Sequence, residues 1–305
     1  MDQAVSFLNL LLELSYFGIT TILFLRKKPI LGSIILTDKC NLSCQHCAVN
    51  NITARVYPYS QIKSEMTKLR GDGVRILLFY GGEPFLWEDE GITLRELVKE
   101  AKQMGFAIVN VVTNGTFPLD LPEADLILVS MDGGKEKHNK IRGNTYNTIL
   151  KNINEAASDN ICLYMAINQI NKSDIEKVCE TARNLKKVRA VSFNFHTPYP
   201  GTEYLKLSVG EKQNCCDRIE KLMDDGYPIM NLKNAFPYII NNTFRTPCLQ
   251  CVIMEDNKRW DCGRCIEIEG LCKECGFFFA AEYSLIFSGN LKVIIEMFKK
   301  YIHFI

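Results

Sequence analysis

Apolar segments with the length of strands alternate with longer amphipathic segments through the first 200 residues of this chain. Six segments have the composition of strands: Ser33–Thr37, Val74–Tyr80, Ala107–Thr113, Leu126–Ser130, Ile161–Ile167 and Ala190–Phe195. Continuous apolar strands separated by helix-length segments are typical of βαβ units and of a parallel sheet covered by helices. The sequence therefore predicts an α/β fold, a partial (β/α)6 barrel, with ligands at the carboxyl ends of its strands.

The segments between these strands predict helices: Ser60–Arg70, Thr93–Met104, Tyr146–Ser158 and Ser173–Leu185. Ser60 is the predicted N-cap of the first helix, because a serine side chain can accept from the first free N–H groups. Gly71 and Gly105 are predicted to end the first two helices, since glycine adopts the left-handed conformation easily. After Pro198–Gly201 we predict a further helix over Gly210–Asp225.

The composition limits the possible functions. A net charge of +1 over 305 residues gives no electrostatic case for binding nucleic acid. The thirteen cysteines are an odd number, and most of them lie in two places at metal-ligand spacings. Disulfide frameworks belong to short secreted chains. The cysteines therefore indicate thiolate-bound metal in a reducing compartment.

Cys40, Cys44 and Cys47 lie in one loop directly after the first predicted strand. Three thiolates at this spacing can bind three irons of a [4Fe–4S] cluster and leave the fourth without a protein ligand, whereas such clusters usually take four cysteines. Zinc is the alternative, but it prefers four-coordinate tetrahedral ligation, and the loop holds no fourth ligand. The loop predicts a cluster with one open, reactive iron.

The turn Gly81-Gly82-Glu83-Pro84 ends the second predicted strand. Glycine lets the backbone approach a ligand closely, and Glu83 can accept a charge-assisted hydrogen bond from an ammonium group. Such a turn alone would be an ordinary loop. Its place at a strand end downstream of the cysteine loop predicts a ligand-binding turn.

Further polar residues follow the later strands. They are Asn114 after the third strand, Ser130 and Asp132 after the fourth, Asn168 after the fifth, and His196 and Tyr199 after the sixth. Since the carboxyl ends of parallel strands share one edge of a sheet, we expect these residues to face a common ligand. His196 and Tyr199 are candidate substrate-facing residues, with a structural role for His196 as the alternative.

The cysteine loop and the glycine turn resemble the motifs of the radical S-adenosylmethionine (SAM) enzymes, and the resemblance covers about residues 33–200. It implies a [4Fe–4S] cluster on the three-cysteine loop, whose open iron takes the amino and carboxylate groups of SAM. It further implies reductive cleavage of SAM to a 5′-deoxyadenosyl radical, with an electron donor such as ferredoxin or flavodoxin. Glu83 would bind the methionine amino group, His46 would pack near the adenine, and the strand-end residues would contact SAM.

The C-terminal part contains three Cys-x2-Cys pairs: Cys248 and Cys251, Cys262 and Cys265, and Cys272 and Cys275. Paired cysteines at this spacing indicate metal. The last four cysteines loosely resemble the SPASM or twitch extensions of radical SAM enzymes, which hold auxiliary [4Fe–4S] clusters. The first four fit tetrahedral Zn2+ equally well by spacing. The auxiliary cluster is favoured, because the chain already handles iron–sulfur chemistry.

Both ends of the chain are apolar. As a helix, Ala4–Leu25 could just cross about 30 Å of hydrocarbon, and the basic residues that follow would place the body on the cytoplasmic side of the cell membrane. A buried or peripheral interfacial helix is the alternative, since Glu13 is costly at mid-membrane. Residues 290–305 predict an amphipathic helix that suits core packing or a membrane interface.

The chain therefore divides into five predicted parts. They are an apolar N-terminal helix (1–28), a radical SAM partial barrel (29–200), a helical connector (201–247), a Cys-rich metal-binding module (248–289) and an amphipathic C-terminal helix (290–305).

Three functions fit these parts. The first is a membrane-associated radical SAM enzyme that abstracts hydrogen from an unactivated carbon of a lipid or isoprenoid-like substrate. The second is a radical SAM peptide or protein maturase with auxiliary clusters. The third is a membrane-anchored Zn-binding interaction protein without turnover.

Overall fold

A mostly parallel sheet of eight strands forms the centre of the protein. The computed structural model describes residue 16 and residues 18–22, 28–48, 53–246 and 248–301. The strands are β1 (Leu31–Ile35), β2 (Ile76–Tyr80), β3 (Glu88–Asp89), β4 (Ile92–Thr93), β5 (Ile108–Thr113), β6 (Leu126–Ser130), β7 (Ile161–Ile167), β8 (Val188–Phe195), β9 (Cys251–Glu255) and β10 (Lys258–Asp261). β3 and β4 form a separate hairpin, and the sheet order is β10-β9-β1-β2-β5-β6-β7-β8. Neighbours from β9 to β8 are parallel, and β10 is antiparallel to β9. The predicted α/β partial barrel is confirmed.

Helices cover the outer face of the sheet. They are α1 (Tyr59–Asp72), α2 (Leu94–Gln103), α3 (Lys135–Arg142), α4 (Tyr146–Asn154), α5 (Ile175–Asn184), α6 (Val209–Asp224), α7 (Phe236–Asn241), α8 (Phe278–Phe287) and α9 (Leu291–Tyr301). Leu77 and Phe79 on β2, and Val109 and Val111 on β5, are fully buried in one core with Met66 of α1. The positions between them are only half-buried, so they face the concave side, where a ligand can enter.

Helix α1 begins and ends at residues other than those predicted. Pro58 is its N-cap and Ser60 lies inside the helix, so the prediction of a serine cap is wrong. Gly71 also lies inside, and the helix ends at Gly73, whose φ of 103° is in the region that favours glycine. Gly105, with φ of 86°, follows Met104, the C-cap residue of α2, and so closes that helix as predicted.

The Cys-rich C-terminal segment is built into the same sheet. β9 extends the barrel beside β1, with Leu31 opposite Cys251. After β10 the chain crosses to the other edge, where the Phe195 N–H donates to the Gly276 carbonyl at 2.9 Å and the Gly276 N–H donates to Thr197 Oγ1 at 3.0 Å. A Cβ on Gly276 would lie 2.1 Å from the Phe195 carbonyl oxygen, so this contact requires glycine. The segment therefore spans the open side of the barrel.

The two chain ends differ in how far the structure describes them. Helix α9 confirms the helix predicted within residues 290–305. Of the predicted apolar helix Ala4–Leu25, residues 16 and 18–22 are helical and the rest lies outside the described residues. Among the residues that are described, no single helix is both long and apolar enough to span a bilayer, while α8 and α9 meet that criterion together with a bend of 115°.

Candidate active site

The three-cysteine loop leaves the carboxyl end of β1. Inside the loop, the Cys47 N–H donates to the Cys44 carbonyl at 3.2 Å. The Leu42 N–H points at the Cys40 sulfur from 3.4 Å. All three cysteines are partly exposed, so their thiols are accessible from the strand ends.

The Gly-Gly-Glu-Pro turn packs directly against this loop. The Gly82 N–H donates to the Thr37 carbonyl at 2.7 Å, and the Glu83 N–H donates to the Lys39 carbonyl at 2.9 Å. A Cβ on Gly82 would lie 2.2 Å from the Lys39 oxygen, and one on Gly81 would lie 2.3 Å from the Thr37 oxygen. The glycines therefore allow the turn to approach the backbone of the cysteine loop, which is a different contact from the predicted approach to a ligand.

Glu83 joins the ends of β2 and β5. Its carboxylate is fully buried and accepts from Thr113 Oγ1 at 2.7 Å, from the Asn114 N–H at 2.7 Å and from the Phe85 N–H at 3.1 Å. Burial raises the pKa of Glu83 to about 7, although these hydrogen bonds act in the opposite direction. Pro84 then begins a short 3₁₀ turn. Glu83 is thus held rigidly behind the cysteine loop.

Asn114 connects the end of β5 to the cysteine loop. Its side-chain nitrogen donates to Asn41 Oδ1 at 2.8 Å and lies 3.7 Å from the Cys40 sulfur. Its side-chain oxygen accepts from the Thr116 N–H at 2.9 Å. These contacts fix an N–H donor against one of the three thiols.

A buried charge network connects the ends of β6 and β7 to the same loop. Arg142, at the end of α3, donates through Nε to Asp132 at 2.5 Å, and its Nη1 lies 3.7 Å from the Cys44 sulfur. Asp132 is fully buried and also accepts from the Ala166 N–H at 3.0 Å. Burial alone would raise the pKa of Asp132, but the adjacent Arg142 guanidinium lowers it, and the pKa lies below its ordinary value. An ion pair at this position stays charged.

His46, the residue predicted to pack near adenine, belongs to this network. Its Nε2 lies 3.2 Å from Arg142 Nη2 and 3.4 Å from Asp132. Burial lowers the pKa of His46 to about 4, so the ring is neutral at neutral pH. Its Nδ1 is buried and has no hydrogen-bond partner among the described residues. A buried polar atom of this kind is typical of a site that a ligand completes.

Ser130 and Asn168, two of the predicted strand-end residues, are both buried at the ends of their strands. Ser130 is buried at the end of β6, two residues before Asp132. Asn168 is fully buried, and its amide is used inside the turn after β7: Oδ1 accepts from the Ile170 N–H at 2.9 Å, and Nδ2 donates to the Ala166 carbonyl at 3.1 Å. The structure gives Asn168 a role in building that turn and does not bring its amide to the cysteine loop.

His196 and Tyr199 lie between the site and the Cys-rich segment. Thr202 Oγ1 donates to the Tyr199 carbonyl at 2.8 Å, so it accepts from His196 Nε2 at 2.9 Å. The His196 ring meets the His46 ring edge-on, with centroids 6.3 Å apart. Burial raises the pKa of Tyr199, and the nearby Cys265 thiol raises it further. His196 is buried and Tyr199 is half-buried, so both pack between the site and the Cys-rich segment.

Sequence reasoning missed Arg142, Thr113 and His138. His138 Nδ1 accepts from the Asp132 N–H at 3.1 Å, and its Nε2 lies 3.0 Å from Thr145 Oγ1. In the sequence, Arg142 reads only as a basic residue near a helix C-terminus, which is a common stabilising position. Its proximity to Cys44 comes from the tertiary fold, so no local signal was present.

The C-terminal cysteines gather in one region. The sulfurs of Cys248 and Cys251 lie 3.6 Å apart, and the Cys262 N–H donates to the Cys251 carbonyl at 2.8 Å. Burial, with neighbouring thiols, raises the pKa of Cys265 to about 11 and that of Cys275 to about 12. Crowded and desolvated thiols stay protonated unless a metal binds the thiolate form. This set of donors therefore suits a thiolate-bound metal centre. All thirteen cysteines lie in the described residues, and none forms a disulfide.

The cysteine loop also suits its predicted group. Within the described ranges, no three His, Cys, Asp or Glu side chains converge as a single metal ion requires. In an iron–sulfur cluster each thiolate binds a different iron, so such convergence is not needed. The donors that Leu42, Asn114 and Arg142 direct at the sulfurs are those that support cluster ligands. The unpaired His46 Nδ1 beside them fits a bound cofactor.

Comparison with known proteins agrees with this geometry. The model of the Radical SAM superfamily matches residues 34–182, a region that contains the cysteine loop, the glycine turn and the Arg142–Asp132 pair. Residues 34–182 of this chain form a radical SAM domain. Enzymes of this superfamily use a [4Fe–4S] cluster and SAM, and these predicted cofactors are confirmed at the level of the family.

Two curated relatives are similar to this chain over part of their length. The Fe-coproporphyrin III synthase of Methanosarcina barkeri is 27% identical over 244 residues, which are 73% of this chain and 58% of that protein. The sporulation killing factor maturation protein SkfB of Bacillus subtilis is 31% identical over 175 residues, which are 51% of this chain and 40% of SkfB. The chain thus spans less than two thirds of either relative.

Solved structures extend the likeness to the Cys-rich segment. SuiB of Streptococcus suis bound to SAM superposes with a TM-score of 0.63 over 89% of this chain and 68% of SuiB, at 11% identity. At such low identity the likeness shows the fold alone. Because it covers 89% of this chain, the likeness in fold extends beyond residues 34–182.

Proposed function

We propose that this protein holds a [4Fe–4S] cluster on Cys40, Cys44 and Cys47 and cleaves SAM reductively, for abstraction of hydrogen from a substrate carbon. The single observation that carries the proposal is the backbone contact between the cysteine loop and the Gly-Gly-Glu-Pro turn, made through Gly82 and Glu83. The bound cluster and SAM supply the electron transfer and the 5′-deoxyadenosyl radical. The protein supplies binding, orientation and exclusion of side reactions.

The residues at the strand ends divide these tasks. Glu83 holds the turn in place, and its neighbours Thr113 and Asn114 extend the support to β5. The Arg142–Asp132 pair presents a buried, permanently charged guanidinium beside the cysteine loop, which suits a carboxylate group of SAM. His46 offers a neutral ring with an open Nδ1 for a hydrogen bond to the cofactor. A ferredoxin or flavodoxin is the proposed electron donor.

A peptide or protein is the proposed substrate. SkfB is named as a maturation protein, and SuiB has been solved with its precursor peptide SuiA. The Cys-rich segment that bridges β9 and β8 leaves Tyr199 and His196 between two groups of thiols. Cysteines of this segment would hold an auxiliary cluster, which would supply a one-electron acceptor close to Tyr199. The alternative of zinc in this segment gives no such acceptor.

A lipid or isoprenoid-like substrate is the second candidate. The observation that favours it is the row of exposed apolar side chains on α9, which includes Leu291 and Phe298. The third function, a Zn-binding interaction protein without turnover, is disfavoured because residues 34–182 match the Radical SAM superfamily.

Deuterium transfer tests the abstraction and separates the two substrates. The reconstituted, reduced protein is incubated with SAM and with the peptide or the lipid fraction of cells grown in deuterated medium. We expect deuterium in 5′-deoxyadenosine from the peptide fraction. Transfer from the lipid fraction alone supports the second candidate. Product without deuterium from either fraction contradicts both substrate classes, and no product at all contradicts the proposed chemistry.

A further inference from the structure

Exposed apolar side chains are concentrated at the two ends of the chain. Leu291, Ile295 and Phe298 follow each other at helical spacing on α9, and Tyr16 and Ile19 do so near the N-terminus; all are 43 to 71% exposed. In the described residues, the other exposed large apolar side chains are Tyr204, Val209 and Ile266, which are 39 to 62% exposed. Apolar side chains grouped in this way mark an interaction site more often than scattered ones do.

The two rows adjoin. The Cγ2 atom of Ile22 lies 3.7 Å from the position that a Cβ on Gly289 would occupy, so the N-terminal segment packs on the turn between α8 and α9. Ile22 is one helical turn from Ile19, and Gly289 is two residues before Leu291. The five exposed side chains therefore form one surface, which we call the apolar end face (Tyr16, Ile19, Leu291, Ile295 and Phe298).

The charge around the apolar end face is positive. Lys292 and Lys299 are exposed on α9. The one acidic residue of that helix, Glu296, is directed away from solvent, because its carboxylate accepts from the Lys233 N–H at 2.7 Å and the Asn234 N–H at 2.9 Å. An apolar row flanked by lysines is the pattern of a helix that lies in a membrane interface.

We propose that the apolar end face docks on a bilayer that contains anionic lipids, with α9 lying in the plane of the interface. The lysines meet the headgroups, and the apolar row enters the boundary of the acyl chains. The fifteen residues before Tyr16 in the sequence include five leucines and one phenylalanine. A second copy suits the face less well, since an isologous contact would oppose Lys292 and Lys299 to their own copies.

Flotation of the full chain with vesicles tests this docking. Vesicles of phosphatidylcholine are compared with vesicles of equal parts phosphatidylcholine and phosphatidylglycerol. The variant L291S/I295S/F298S should partition to the mixed vesicles about tenfold less than the unmodified chain, since it loses the apolar row. The matched control Y204S/V209S/I266S removes three exposed apolar side chains elsewhere and should bind like the unmodified chain.

A second variant keeps the test valid if the first fails to fold. K292E/K299E changes exposed charges only, and should lose several-fold in binding to the mixed vesicles while binding neutral vesicles unchanged. Equal vesicle binding by all variants, or none by the unmodified chain, overturns the inference. A dimer that L291S/I295S/F298S abolishes, without vesicle binding, also overturns it in favour of self-association.

SAM cleavage measured without vesicles should be the same in L291S/I295S/F298S, K292E/K299E and the unmodified chain. The docking inference goes beyond the proposed chemistry, and each can fail while the other stands.

Discussion

The guanidinium Nη1 of Arg142 lies 3.7 Å from the sulfur of Cys44, across 98 residues of sequence. The same guanidinium is paired with the fully buried Asp132. Because the pair is buried and fixed, it gives the site a positive group whose position does not depend on solvent. Several expectations depend on the fixed geometry of this site.

Removing Arg142 should leave Asp132 as an unpaired buried charge. We expect Arg142→Met to lower the free energy of unfolding of the metal-free protein by about 3–5 kcal/mol, and Asp132→Asn in addition to restore most of the loss. Urea denaturation measures both. The control is Arg218→Met, whose partner Glu176 is 40% exposed, so we expect about 1 kcal/mol or less. Equal losses of unfolding free energy in Arg142→Met and Arg218→Met would contradict the stronger contribution expected from the buried Arg142–Asp132 pair.

Gly82→Ala should separate the glycine turn from the cysteine loop. The added Cβ would lie 2.2 Å from the Lys39 oxygen, so the backbone must move. We expect this variant to assemble little of the iron–sulfur cluster, measured by iron content and visible absorbance. Gly71→Ala, inside α1 with no atom within 4 Å of its Cβ, should keep the cluster and gain about 0.5–1 kcal/mol in stability. Full cluster in Gly82→Ala would rule out this role of the contact.

Glu83 should make the metal-free protein less stable as the pH rises. Burial raises its pKa to about 7 in the folded state, so between about pH 4.5 and 7 the folded protein keeps a proton that the unfolded chain has released. The resulting stability is fully present below that range and is lost as the pH passes 7. In Glu83→Gln this titration is absent. The unfolding free energy should therefore decline less steeply with pH, and the difference in slope should correspond to about one proton. The exposed Glu88→Gln is the control, and identical slopes for the two variants would be the contrary result.

The C-terminal cysteines should hold an auxiliary cluster. Reconstituted protein is then expected to contain about eight irons per chain, and Cys251→Ala about four. Cys179→Ala, which changes a buried thiol on α5, should retain all of them. Elemental analysis decides the matter, because about four irons with bound zinc in the unmodified chain would mean that this segment is a zinc site.

Much of the barrel was predictable, because its strands are continuous apolar segments. All six predicted strands are present, including Leu126–Ser130 and Ile161–Ile167 with the predicted bounds. β9 was not predicted as part of the sheet, since its pairing with β1 joins segments that are more than 200 residues apart in the chain. Nothing local in Cys251–Glu255 shows which strand it will meet.

The same limit applies to the site. The cysteine loop and the glycine turn are compact motifs, and the structure brings them together as predicted. Asn168 was predicted at a shared edge but is used in its own turn, because a strand-end position does not fix where an amide points. Arg142 reaches Cys44 only through the packing of α3, and such contacts need the tertiary structure.

The most direct test of the proposed activity is reductive cleavage of SAM. The protein is reconstituted anaerobically with iron and sulfide, reduced and incubated with SAM, and 5′-deoxyadenosine is quantified. The unmodified chain should form 5′-deoxyadenosine, and Cys44→Ala should form none, because it loses one of the three ligands of the cluster. A fully loaded cluster that yields no 5′-deoxyadenosine would contradict the account.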